Sequence, residues 1–380
     1  MTIGIDFVGS NFATGTKTYA INFCNTLKNL ELNQNIKIFV CKNYLNQISP
    51  AKNKDSKIEY IVKSNLLSLP LFRIFWMQFI FPFELKILGI KKIYSPKGIS
   101  PLITKFLNIK TVLCLHSNLP WVNFNFLPGN KYKNIITTKL SEISIYNCDI
   151  LIVDSYYAKS EIAKILNLTQ KKIEVVYLNI SHKFYSPNRE NKFVNNFNYK
   201  CKYILSVMSC VKYHNIINLL IAFKMLIKEI KLDIKLVLIL QILDKNYFLE
   251  IKDFIFKNFE KNQIFIFTNL ESDKLPEFYN HAELYTFTSY IEVFGLTSLE
   301  AMSQNTPVAI SNRSALTEIN GDAALYYDPD NLDQIKNSFK KILLNENLKK
   351  NLIASGSKRV MQFNANDNIK KTISIIESLT

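Results

Sequence analysis

The chain has 380 residues, room for two domains of ordinary size, and its 48% hydrophobic and 13% aromatic content argues against general disorder. The formal charge of +16 comes almost wholly from lysine, since only Arg73, Arg189, Arg313 and Arg359 are arginines. Such a field attracts anionic lipid surfaces and nucleotide diphosphates; with no Arg-rich arm, zinc-finger spacing or basic helix interleaved with aromatics, the chain does not read as a nucleic-acid binder.

Alternating apolar strands and amphipathic helices run from the start. Ile3 to Val8 reads as a strand, Gly9 to Gly15 as a loop and Thr18 to Leu30 as a helix. Ile36 to Val40 and Ile58 to Val62 follow as strands, and then an aromatic stretch from Leu66 to Phe83. Pro70, Arg73, Gln78 and Pro82 interrupt that stretch too often for it to span a bilayer. Two compatible readings stay open for it: a core helix of the first domain, or a helix whose aromatics dip into a membrane surface beside Lys86, Lys91 and Lys92. Lys92 to Tyr94, Thr111 to Leu115, Ile150 to Val153 and Ile173 to Tyr177 complete a first strand series. A second starts at Tyr203 to Val207 and continues through Ile234 to Leu240, Ile264 to Phe267, Leu284 to Phe287 and Val308 to Ile310. Two such series predict two doubly wound α/β domains, residues 1–185 and 200–363. Residues 186–199, rich in asparagine and holding Pro187, read as the linker, and Asn364 to Leu379 as a terminal helix. The six cysteines show no paired spacing and no secretory leader before them, which reads as buried free thiols in a reducing cytoplasm.

The stretch from Thr288 to Met302 is the most informative. A buried strand is followed by a polar turn, Gly295 and a helix from Leu296 to Ser303, so free backbone N–H groups converge on one spot suited to a phosphate. Glu292 precedes the loop and Glu300 lies one to two turns into the helix. Carboxylates there do not hold phosphate; they accept hydrogen bonds from hydroxyls of a sugar or ribose.

This segment resembles the E-x7-E signature of the retaining glycosyltransferases of family 4. The likeness continues in order through Pro307-Val308-Ala309-Ile310-Ser311, Glu318, Gly321, Asp322-Ala323-Ala324 and Asp328-Pro329. The resemblance implies a GT-B fold, two Rossmann-like domains facing each other across a cleft, with the C-terminal helix of residues 364–380 returning to the first domain. It implies a sugar moved from a nucleotide-diphosphate donor to a hydroxyl of a glycan or lipid-linked glycan in surface polysaccharide assembly. The donor would be a substrate, with no cofactor. Glu292 would hold hydroxyls of the donor sugar and Glu300 the ribose.

The loop from Asp6 to Tyr19 resembles the family's first loop, where a glycine, here Gly15, would let the backbone approach the donor phosphate or the acceptor. His116, at the end of the Thr111 to Leu115 strand, matches a histidine close to the donor sugar. In the loop after Val207, Lys212 is the expected diphosphate cation, with His214 as a second contact. Backbone groups of Phe294, Gly295 and Leu296, with Arg313, would share the developing charge. No Asp-x-Asp pair is read at an expected strand end, so the transfer is expected to need no metal. The family's usual arginine has no clear counterpart, and Asn179, Ser181, Leu240, Asn269 and Asn305 replace common glycines. Those departures motivate an alternative: a GT-B-fold nucleotide-sugar-binding or partner subunit with impaired catalysis. A cytoplasmic location, with peripheral contact at the inner face of an anionic membrane, completes the expectation.

Overall fold

A computed structural model describes residues 2–9, 14–48, 57–127, 129–168, 172–184, 201–268 and 270–379. The expected linker 186–199, most of the first loop and Asn269 lie outside the described residues. The chain divides into two units, one made of residues 1–122, 131–179 and 364–380, the other of 123–130 and 180–363. The boundary read at 185 therefore falls slightly late. The short turn His182–Phe184 belongs to the second unit, where Gln304 Nε2 donates to the Phe184 carbonyl at 2.6 Å and the Phe184 ring meets Tyr279.

The first unit holds a seven-stranded parallel sheet. Its strands are β1 (Thr2–Asp6), β2 (Asn35–Cys41), β3 (Ile58–Lys63), β4 (Lys92–Ser95), β5 (Lys110–Leu115), β6 (Ile150–Val153) and β7 (Ile173–Val175), in the spatial order 3-2-1-4-5-6-7. Alternation along β2 shows why these strands are apolar on both faces. Ile36, Ile38 and Val40 join a core with Ile369, Ile373 and Ile376 of the terminal helix Ala365–Glu377, whereas Phe39 and Cys41 join a second core with Trp76, Met77, Phe81 and Leu85. Lys92 Nζ donates to the Glu377 carbonyl at 2.7 Å and Asn368 Nδ2 to Asn179 Oδ1 at 2.9 Å, fixing the terminal helix to this unit. The aromatic stretch forms Pro70–Phe75, a π-turn Trp76–Ile80 and Phe81–Ile87. Pro82 has no N–H to continue the regular ladder, which accounts for the widened turn just before it.

The second unit holds a six-stranded parallel sheet: β8 (Lys202–Cys210), β9 (Ile234–Ile242), β10 (Ile264–Thr268), β11 (Leu284–Phe287), β12 (Val308–Ser311) and β13 (Ala324–Tyr327), ordered 10-9-8-11-12-13. The sequence reading misses β13, a four-residue edge strand with a half-exposed middle. Asn305 takes the left-handed conformation (φ 59°) that glycine would otherwise supply, and Leu240 fills the core. All six cysteines are free, five of them buried.

Candidate active site

In the second sheet the chain leaves β8 towards β9 and leaves β11 towards β12, on opposite sides, so the loops at their carboxyl ends part. Such a switch point is where open parallel sheets bind ligands. After β8 comes the short turn Lys212–His214, ended by Asn215 in the left-handed conformation (φ 55°). Three bonds tie it to the segment after β11: Tyr290 N–H donates to the Tyr213 carbonyl at 2.9 Å, Ser289 Oγ to the same carbonyl at 3.4 Å and Thr288 Oγ1 to the His214 carbonyl at 2.9 Å. The turn buries His214 and leaves Lys212 exposed. His214 Nδ1 donates to the Ser209 carbonyl at 2.7 Å, so its Nε2 faces Glu292 Oε1 at 3.3 Å. With Nδ1 already committed to a carbonyl, a hydrogen bond between Nε2 and the carboxyl needs a proton held between them. Lys212 has no carboxylate partner among the described residues. Of the two cations weighed from sequence, His214 adjoins Glu292 and Lys212 does not.

Glu292 is held by its main chain. Its N–H donates to Ser314 Oγ at 2.8 Å and its carbonyl accepts from Ala315 N–H at 3.2 Å. Ser314 itself sits at φ 55°, a conformation L-residues rarely adopt, and sequence reasoning gave no sign of it. The Glu292 side chain keeps 21% exposure, enough to meet a ligand. Three residues on, Gly295 (φ 84°) caps the helix Leu296–Ser303 without a side-chain bond, so the first amides of the helix point outward. A β-carbon on Gly295 would lie 2.4 Å from Leu316 Cδ2. Gly295→Ala combines that clash with a left-handed backbone, and about 1–3 kcal/mol of lost stability is expected. Urea unfolding measures it directly, and an unchanged midpoint would show that the turn tolerates a side chain.

The remaining expected contacts divide. Phe294 is buried, its ring against Phe363, and Leu296 is half-buried. Glu300 is buried and accepts from Tyr279 Oη at 3.0 Å. Burial pushes its carboxyl up to about 7, against the bond from Tyr279 and the charge of Lys183. Arg313 does not reach towards Glu292: its guanidinium meets Asp328 at 2.9 Å and Asp330 at 3.5 Å. These two form an Asp-x-Asp pair directly after β13, so the reading that no such pair follows a strand is corrected. It failed because β13 itself was not recognised. Arg313 occupies both carboxylates.

In the first unit, β5 and β6 run in register with Leu115 opposite Val153, so His116 and Asp154 emerge side by side. His116 Nδ1 lies 3.0 Å from Asp154 Oδ2. Burial opposes charge on the imidazole, but Asp154, with Cys114 beside it, holds its pKa well above the usual range. His116 Nε2 is buried without a partner, as are both polar atoms of the Asn118 side chain. Unpartnered buried polar atoms call for an explanation, and a ligand hydroxyl would supply one. Sequence reasoning found His116 but missed Asp154, because the pairing of the two strands was not assigned. Cys114, His116 and Asp154 bring one potential metal-ligand atom each within 4.8 Å of one another. Of these atoms, His116 Nδ1 and the Asp154 carboxylate already meet each other. Gly15 is exposed on the first turn of the helix Thr14–Leu27 rather than in the loop before it, with nothing near its missing side chain. Glycine is tolerated there at about 1 kcal/mol, so the helix starts earlier than the apolar spacing indicates. At this sheet's own switch point, between β1 and β4, buried Asp6 pairs with Lys97 at 2.8 Å.

Residues 187–359 match the family profile described as "Glycosyl transferases group 1". The O-antigen chain mannosyltransferase RfbU of Salmonella typhimurium is 22% identical over 250 residues, 63% of this chain and 67% of that protein. Further matches, all named mannosyltransferases of Escherichia coli, span less than a third of their own length. Among solved structures, sucrose-phosphate synthase from Thermosynechococcus elongatus superposes with a TM-score of 0.75 at 17% identity, covering 100% of this chain and 99% of that one. Anabaena HepE in complex with UDP and glucose gives 0.74 at 14% identity, covering 100% and 99%. The chain therefore has the two Rossmann-like parallel-sheet units of the GT-B glycosyltransferases, and its residues 187–359 carry a glycosyltransferase group 1 domain.

Proposed function

We propose that this chain is a retaining glycosyltransferase of family 4 that moves a sugar from a nucleotide-diphosphate donor to a hydroxyl of a glycan or lipid-linked glycan in surface polysaccharide assembly. One observation carries the reading: Glu292, half-buried and facing His214, stands beside the outward amides of the Leu296–Ser303 helix at the switch point of the second sheet. A carboxylate for hydroxyls next to N–H groups for phosphate is the chemistry a sugar diphosphate requires. Mannose is the first sugar to consider, since the matched curated relatives are named mannosyltransferases. HepE with UDP and glucose makes a uridine donor the natural comparison.

In the proposed step the bond from the anomeric carbon to the diphosphate oxygen breaks with its electron pair going to that oxygen. The acceptor oxygen bonds to the anomeric carbon on the same face, and its proton passes to the leaving phosphate. The helix amides and Lys212 take up the charge that develops on the diphosphate. Glu292 holds sugar hydroxyls and Glu300 ribose hydroxyls, while His116 and Asn118 are assigned to further hydroxyls through their unpartnered buried atoms. No step in this scheme draws on a metal.

Radiolabelled uridine, guanosine and thymidine diphosphate sugars, incubated with the purified chain and membrane extract, test the reading. Label is expected in a lipid-extractable product with one donor, at equal rate with and without a chelator. Neither turnover nor hydrolysis with any donor would refute the transferase reading; loss on chelation would refute only its metal-free part.

A further inference from the structure

We infer that the first unit docks on an anionic lipid surface through the outer face of the segment spanning residues 70–87. This inference does not depend on the transfer reaction. The segment carries two apolar faces. Trp76, Met77, Phe81 and Leu85 are buried in the core against Phe39 and Ile93. The other face leaves Leu71 82%, Phe72 49%, Phe75 58%, Phe79 64%, Phe83 50% and Ile87 84% exposed. From Leu71 these recur at steps of four along one side, and the Phe75 and Phe79 rings touch at 5.2 Å between centroids. Single exposed apolar residues need no explanation, but a row of this length on one face marks an interaction surface.

Charge decides which occupant fits. From 57 to 110 the chain holds eight lysines and one arginine against two carboxylates, Glu59 and Glu84. Both carboxylates are spent, Glu59 on Lys37 at 3.0 Å and Glu84 on Lys63. Lys86, Lys91 and Lys105 are exposed and have no carboxylate partner among the described residues. The turn Leu102–Leu107, which bears Lys105 and the 88% exposed Phe106, is tied to the segment by Gln78, which accepts from Leu102 N–H at 2.9 Å and donates to the Ser100 carbonyl at 3.1 Å. Aromatic side chains flanked by unpaired lysines suit acyl chains below and phosphate headgroups above. A second copy of this chain would bring the same lysines together, which disfavours self-association. No helix among the described residues is long and apolar enough to cross a membrane, so attachment here is to one leaflet.

Co-sedimentation of the full chain with vesicles of phosphatidylcholine alone, or mixed with phosphatidylglycerol, is the test. The chain is expected to pellet with the mixed vesicles and much less with the neutral ones. Phe75→Ser with Phe79→Ser is expected to weaken partitioning about 100-fold, and Lys86→Glu with Lys91→Glu about tenfold, the latter only on anionic vesicles. All four positions lie on the surface, and an unchanged melting curve confirms that each variant is folded. Wild-type protein left in the supernatant with both compositions would overturn the inference. So would a phenylalanine variant that pellets like wild type, or a dimer in light scattering that this variant dissolves while vesicle binding stays absent.

Discussion

Glu292→Ala is expected to lower kcat/KM for sugar transfer by about 10²- to 10⁴-fold, from the loss of two charge-assisted hydrogen bonds of roughly 1.5–3 kcal/mol each. The melting temperature is expected to move little. What holds this loop in place is the Glu292 main chain on Ser314 and Ala315, which the substitution keeps, rather than the carboxylate. His214 stays seated by its bond to the Ser209 carbonyl. An effect on transfer without an effect on folding therefore isolates the role of the side chain. Initial rates with the responding donor, beside a thermal melt, measure both. Retention of kcat/KM within about threefold would remove Glu292 from substrate contact. Glu292→Gln separates the two tasks of the group, because an amide still accepts from sugar hydroxyls but carries no charge towards His214.

The strands were legible because each is a short apolar run bounded by turn residues, and runs of that kind are apolar throughout only when helices cover both faces of the sheet. The Glu292-to-Glu300 segment was legible because its order of strand, turn, glycine and helix is written in consecutive residues. Features set by pairing between distant segments were not. His116 and Asp154 meet because Leu115 stands opposite Val153, a register no local pattern states. Tyr279 meets Glu300, and Ser314 meets Glu292, for the same reason. Charge at neutral pH singled out Lys212 over His214, but the left-handed Asn215 ending the turn decides which side chain points inward. Arg313 read as a free cation until β13 brought Asp328 and Asp330 beside it. The aromatic stretch turns one face to the core, as one of its readings had it, and leaves the other exposed, since its helical spacing supplies apolar residues to two sides.

Glu300→Gln is expected to stabilise the protein at alkaline pH and leave it unchanged in acid. The carboxyl of Glu300 is held at about 7 in the folded chain, against an ordinary value of 4.5, chiefly by burial. Between those values the folded state keeps the proton and the unfolded state has lost it. Stability therefore falls as pH rises through this window, by up to roughly 3 kcal/mol, and the loss is complete above the folded value. The glutamine has no proton to lose and still accepts from Tyr279 Oη, so the variant escapes that penalty. Lys183 loses a nearby opposite charge but keeps its bond to the Ser272 carbonyl at 2.7 Å. At about pH 8 the variant is expected to melt some 5–10 °C above the parent, and at about pH 4 together with it. Donor affinity is expected to fall in the same variant as the charge offered to ribose hydroxyls disappears, so a residue that costs stability would be the one that binds substrate. Thermal melts of both proteins across the pH range decide the matter: parallel curves would mean that Glu300 ionises in the folded chain as it does in the unfolded one.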